Sequence, residues 1–302
     1  MASGDFDIAQ QTIILSFVFT ILAILSFFAH ITVRIVILRK LGLDDWLTGG
    51  AFVITLALVT QTVWAVVHEG QGRHVSLVTH TEFELLAKSL LVHEELWALV
   101  NILIRLSASI AIKALFGNIS QWRILSNVAM TLSILHGVFS LLIGALVCRP
   151  LNAAWDPTVE GTCINQTASF IAIEAIGLAI DILVLAVPCL VIPRLMMSRK
   201  RQWALVLLLS SGSLVTIITG VRIAALHRVG SLDVTYDQAY LGLLSTLGAL
   251  LSIIASCVPS FGPIYKAICK KLRPLYITRH SRRINSIECN RSQSVRGQSH
   301  TK

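Results

Sequence analysis

The sequence predicts an all-α fold: a seven-transmembrane-helix bundle with the N-terminus outside and the C-terminus cytoplasmic. Three observations predict it. The first is composition. The 302 residues are 55% hydrophobic and only 14% charged, against roughly 25% charged in soluble domains, and mean hydropathy is +0.75. A soluble chain this apolar would have to expose large apolar patches. The second is a recurrence of apolar runs near the roughly 20 residues that cross a bilayer. They fall at 12–38, 46–67, 90–115, 124–147, 167–192, 203–226 and 238–264. The third is charge placement. Arg39, Lys40, Lys113, Arg123, Arg194, Arg199, Lys200, Arg201 and the basic residues from Lys266 onward all fall in the tail or in loops on one side. The opposite loops hold little beyond Arg73, Lys88, Arg149 and Arg228. Short basic loops stay cytoplasmic, which sets the orientation. It also accounts for the net charge of +9 without nucleic acid as a partner; the partner expected is the lipid bilayer. Residues 1–266 are read as the membrane domain and 267–302 as a basic, disordered cytoplasmic tail, rich in serine and arginine.

Span one carries His30 and Arg34 near its inner end. The turn that follows leads into Asp44 and Asp45, acids at a helix N-terminus where the helix dipole favours them, and Trp46 suits the membrane interface. The stretch 69–88 reads as an outward polar loop containing Gly70-Gln-Gly-Arg-His74, His80, Glu82 and Glu84. Its histidines and glutamates lack the spacing that places two imidazoles on one helical turn, so no metal is expected. Span three opens near His93-Glu-Glu95 and carries Asn101, Arg105 and Ser107. His136 in span four reads as a satisfied interior residue. Span six is rich in small residues, which let helices approach closely in lipid. Pro259 and Pro263 close span seven.

Cys148 and Cys163 lie in an outward, oxidising loop and can pair. Cys189 and Cys257 read as packing residues, Cys269 and Cys289 as cytoplasmic thiols. Of the sequons, Asn118 and Asn290 fall on the cytoplasmic side. Asn165 is outward, but its closeness to span five argues against glycosylation.

Span five holds Glu174, Asp181 and Pro188 at intervals of seven, on one helix face. Acids in an apolar run are costly unless they meet something polar. At 1.5 Å per residue Glu174 lies about 10 Å and Asp181 about 20 Å below the outer face. Arg222 in span six falls near the depth of Glu174, and Arg105 near that of Asp181. Arg34 lies level with Asp44 and Asp45. Depth therefore predicts an intramembrane polar network with the pairs Glu174–Arg222, Asp181–Arg105 and Arg34–Asp45 or Asp44.

Together these motifs resemble the fungal rhodopsin-domain family of integral membrane proteins. The matching residues are Arg34 with Leu41-Gly-Leu-Asp-Asp-Trp46, Gly70-Gln-Gly-Arg-His74, Arg105-Leu-Ser107, Cys148-Arg-Pro150 with Trp155 and Gly161-Thr-Cys163. Asp181 with Pro188, Arg222 and Cys257-Val-Pro259 complete the set. The resemblance implies seven helices and a receptor-like protein, in a family that also includes proteins of toxin gene clusters, satratoxin's among them. Two positions depart from the family: Arg105 stands where lysine is frequent, and Gly248 where many members carry glutamate. No lysine occurs in 238–265, so a retinal Schiff base is excluded, and no cofactor is expected. The function expected is binding or sensing of a small apolar molecule. The alternative is an accessory protein or membrane enzyme, such as a cyclase or isomerase, of a fungal secondary-metabolite pathway. No nucleophile elbow, P-loop, dinucleotide fingerprint or zinc-protease motif is present, and no catalytic residue is assigned.

Overall fold

The computed structural model of the protein describes residues 5–116, 120–156, 158–191, 199–226 and 235–258. The tail with Cys269 and Cys289, the prolines Pro259 and Pro263, Arg194, Arg228 and the sequons at Asn118 and Asn290 lie outside the described residues. Among the described residues the chain forms seven long helices: α1 (Asp5–Val33), α2 (Leu43–His68), α3 (His80–Phe116), α4 (Ser120–Ala145), α5 (Gln166–Val191), α6 (Arg199–Leu226) and α7 (Thr235–Val258). Among the described residues six helices are long and apolar enough to cross a membrane, and α6 adds an apolar stretch over Gly212–Leu226. This is the expected multi-pass membrane bundle.

The bundle is organised around α7. Of its apolar stretch 67% is buried, against 17% for α1 at the margin. Leu250 and Ile253 of α7 pack with Ala23 of α1 and with Ala51 and Phe52 of α2. Ala249 joins Leu58, Trp97 and Val100. Gly248 permits this contact, because a Cβ there would stand 3.0 Å from the Trp97 ring. On the outside of α1, Ile14, Phe17, Ile21, Leu25 and Phe28 are exposed, a surface suited to lipid. Cys257 is buried as expected, whereas Cys189 faces outward from α5.

Between α1 and α2, a π-helical turn over Arg34–Leu38 ends on Arg39 in the left-handed region, φ +50°. Asp45, at the third position of α2, accepts the Gly42 N–H at 2.8 Å and so caps the helix. Gly42 is needed for a close approach, since a Cβ there would lie 2.1 Å from Asp44 Oδ1.

The span-three boundary differs from expectation. The stretch read as a polar loop over 69–88 is helical from His80. The reason is a capping box: the Thr79 N–H and hydroxyl each donate to Glu82 at 2.9 Å, and the Glu82 N–H returns a bond to the Thr79 hydroxyl. What remains of the loop is folded against α7. Gly72 N–H donates to Thr235 O, the Thr235 hydroxyl donates to Arg73 O, and Gln71 donates to Gln238 O. His74 stacks on Tyr236. Gly70 at φ +71° and Gly72 at φ +91° supply a backbone shape that side chains resist.

Between α4 and α5 lies a two-stranded antiparallel hairpin, β1 (Cys148–Arg149) and β2 (Thr162–Cys163), closed by a Cys148–Cys163 disulfide. Lys88 of α3 sits over the Trp155 ring at 5.5 Å. Asn165 caps α5, its side-chain oxygen accepting the Ala168 N–H at 3.1 Å.

Candidate functional site: a polar column with two cavities

Three polar clusters are strung along the bundle interior. Nearest the hairpin, Arg222 of α6 is 1% exposed and every nitrogen has a role. Its Nη1 donates to Glu174 of α5, its Nη2 donates to Glu94 of α3 at 2.5 Å, and its Nε donates to Ser245 of α7 at 2.9 Å. The guanidinium lies 4.9 Å from the Trp97 ring centre, and Trp97 Nε1 donates to Glu174 at 2.9 Å. A buried charge is tolerated when paired and fully hydrogen-bonded, and four helices combine to achieve that here.

The middle cluster centres on Arg105 of α3. Its Nε and Nη2 donate to the two carboxylate oxygens of Asp181 at 2.7 and 3.0 Å, a bidentate pair. Nη1 lies 3.2 Å from His136 Nδ1, and His136 Nε2 lies 2.9 Å from Ile173 O. Arginine only donates and a carbonyl only accepts. The imidazole is therefore neutral, with its proton on Nε2.

At the far end from the hairpin, Arg34 Nη2 donates to Asp44 at 2.5 Å. Its Nε makes an ion-pair contact with Asp45 at 2.9 Å, short of hydrogen-bond geometry. Asp45 also meets His30 Nε2 at 2.9 Å. The Thr48 and Ser107 hydroxyls lie 2.8 Å apart and stand 2.9 and 3.0 Å from Asp44 O, so one donates to that carbonyl while the other donates either to it or to its neighbour hydroxyl. This explains the 41–46 motif: glycine for close approach, one aspartate for Arg34, and the next for His30 and the cap.

Two cavities occupy the gaps. One, of about 150 Å³, lies between the Arg34–Asp44 and Arg105–Asp181 pairs. Its walls include Ile104, Ala108, Ala111, Val184, Leu185 and Val215, with hydroxyls from Thr216, Ser252 and Ser256. The other, of about 30 Å³, lies between α3, α4 and α5 and is bordered by Glu94, Glu95, Asn101, His136, Ser140 and Glu174. Arg105 borders both.

The structure thus brings Glu174 to Arg222, Asp181 to Arg105, and both Asp44 and Asp45 to Arg34. It adds Glu94, Trp97, His30 and Ser245 to these pairs. Glu94 was legible: Glu94, Trp97, Asn101 and Arg105 recur at intervals of three and four, one stripe of a helix. With span three opening near His93, Glu94 fell at its first turn rather than among its interior residues.

Fold and interior define a seven-helix membrane protein whose intramembrane charges are paired across helices. The fungal rhodopsin domain profile matches residues 29–267, and the chain belongs to that family. It is 25% identical over 137 residues to the "Satratoxin biosynthesis SC1 cluster protein 4" of Stachybotrys chartarum, covering 45% of this chain and 48% of that protein. It is 27% identical over 129 residues to a "SAT4 family membrane protein" of Emericella nidulans, covering 42% of this chain and 32% of that one. The matches thus span at most about half of those relatives' length. No solved structure matches the chain.

Proposed function

We propose that this protein binds or senses a small, uncharged, mainly apolar molecule in the cavity between the Arg34–Asp44 and Arg105–Asp181 pairs. The single observation that carries the reading is that cavity, about 150 Å³ with aliphatic walls and hydroxyls. A dry engineered cavity of that order holds benzene, so a ligand of roughly six to ten heavy atoms fits without rearrangement. The lining favours a neutral ligand. Arg34 and Arg105 already have carboxylate partners, and a charged ligand would have to break one of those pairs. Mass spectrometry of small molecules released from the purified, denatured protein tests this. A compound should be present in wild type and lost in Ala111→Trp, which fills the cavity. Identical extracts would reject the reading.

A second reading, a role in a fungal secondary-metabolite pathway, is favoured by the name of the Stachybotrys relative. Deletion of the gene followed by metabolite profiling separates the two. Loss of one product with its precursor accumulating supports the pathway role, and an unchanged profile counts against it. The orientation proposed is N-terminus outside, with a cytoplasmic basic tail from residue 267.

A further inference from the structure

We propose that the interior polar groups form a proton path through the bundle, and that Arg105 interrupts it. The proposal does not depend on the ligand reading above. Its starting point is that two cavities meet at one side chain, Arg105, which borders each.

Exposure rises toward both ends of the column. Arg34 is 24% exposed and Glu94 is 20% exposed, whereas Arg105 between them is 7% exposed. Along α3, Glu94 and Ser107 are separated by about 20 Å at 1.5 Å per residue, two-thirds of a ~30 Å hydrocarbon core. Each cavity, of about 30 and 150 Å³, exceeds the roughly 10–15 Å³ that one water needs. Both have the polar partners that keep water in place: Asn101, Ser140 and Glu174 on one side, Asp181, Ser252 and Thr216 on the other.

Each carboxylate, hydroxyl and water in the column passes a proton by accepting one and releasing another. A proton bound at the Glu94 end leaves at the Asp44 end, or the reverse. Only O–H and N–H bonds are made and broken, and one proton enters for each that leaves. Arginine cannot take part, because its guanidinium does not deprotonate in proteins. Arg105 blocks passage in two ways. Its positive charge repels a hydronium in a medium where charges are poorly screened. Its Nη1 also occupies the His136 Nδ1 lone pair, while His136 Nε2 is committed to Ile173 O, so the imidazole has no free site.

Titratable and charged groups face Arg105 from several helices, and His30 also lines the larger cavity and Glu94 and Glu95 the smaller. Asp181 and Glu174 come from α5 and His136 from α4. Arg34 and Asp44 stand across the larger cavity, where α6 and α7 present hydroxyls. The guanidinium is held tightly: a Cβ at Gly177 would lie 3.0 Å from Nη2. The carboxylates of the column outnumber its guanidiniums Arg34, Arg105 and Arg222, which favours cations over anions along it.

The test uses the full chain in liposomes with an internal pH dye, a potassium gradient and valinomycin to drive protons. Wild type should be nearly tight. Arg105→Gln should raise proton flux about tenfold or more, the factor that 1.4 kcal/mol of barrier represents. Combining it with Ala111→Trp should remove most of that flux. Should Arg105→Gln fail to fold, Arg105→Gln combined with Asp181→Asn removes the guanidinium without leaving an unpaired carboxylate, and it should leak as well. Folding is verified by helical circular dichroism and an intact disulfide. Folded variants as tight as wild type would overturn the proposal, as would a leak that passes sodium as readily as protons.

Discussion

Replacing Asp181 with leucine removes the one carboxylate that engages Arg105 through two hydrogen bonds, at 2.7 and 3.0 Å. The arginine side chain is 7% exposed and the aspartate 17%. His136 remains as a neutral partner for Nη1 alone. Breaking a buried ion pair from one side costs about 3–5 kcal/mol, because a charge is left uncompensated. Insertion scales give a similar ~2.5–3.5 kcal/mol for an arginine at mid-membrane. Asp181→Leu should therefore lose about 3–5 kcal/mol. Arg105→Met with Asp181→Leu should recover most of it, since an apolar pair of similar volume often equals or exceeds a buried salt bridge. The assay is unfolding in mixed micelles by added SDS, followed by circular dichroism. A loss under about 1 kcal/mol for Asp181→Leu, or a double variant no more stable than the worse single one, refutes the reasoning.

Opening the Cys148–Cys163 disulfide by Cys163→Ser removes a cross-link between residues 15 apart; a loop of that size is worth about 3 kcal/mol in the chain-entropy model, and the SDS midpoint should fall accordingly. Gly72→Ala forces a Cβ onto φ +91° and should cost about 1–2 kcal/mol in the same assay. Glu69, buried beside α3 and outside the spans, has its acidity weakened by burial, with the Ser89 hydroxyl acting in the opposite sense. Its folded-state pKa is raised above the ordinary 4.5, so its contribution is fully favourable below that value and is lost as pH rises through the folded value. Glu69→Gln should flatten the pH dependence of thermal stability in that window, and an unchanged profile would count against burial as the cause. Protease added outside sealed right-side-out vesicles should spare a tag after Lys302; its digestion would reverse the proposed orientation.

The bundle and its interior charges were legible for one physical reason. In an apolar run, a charge is expensive enough that depth alone restricts its partners. Arg222, Arg105 and Arg34 each had one or two carboxylates at a matching level, and those are the partners found. Neutral partners carry no such signal. His30 against Asp45, Ser107 against Asp44 O, and Trp97 against Glu174 depend on helix rotation, which hydropathy does not encode. Glu94 was missed because the Thr79-x-x-Glu82 capping box, visible in the sequence, was read as part of a loop. The 150 Å³ cavity could not be read at all, since its lining comes from six helices.

The central claim is that the space between the Arg34 and Arg105 pairs is a seat for a small neutral molecule. Benzyl alcohol, a ring with one hydroxyl, tests it most directly in lipid nanodiscs, with benzoate and benzylamine as charged counterparts. Benzyl alcohol should give saturable thermal stabilisation of wild type and none of Ala111→Trp, and the charged pair should give little. Equal shifts in wild type and Ala111→Trp would place the alcohol's effect in the bilayer and contradict the claim.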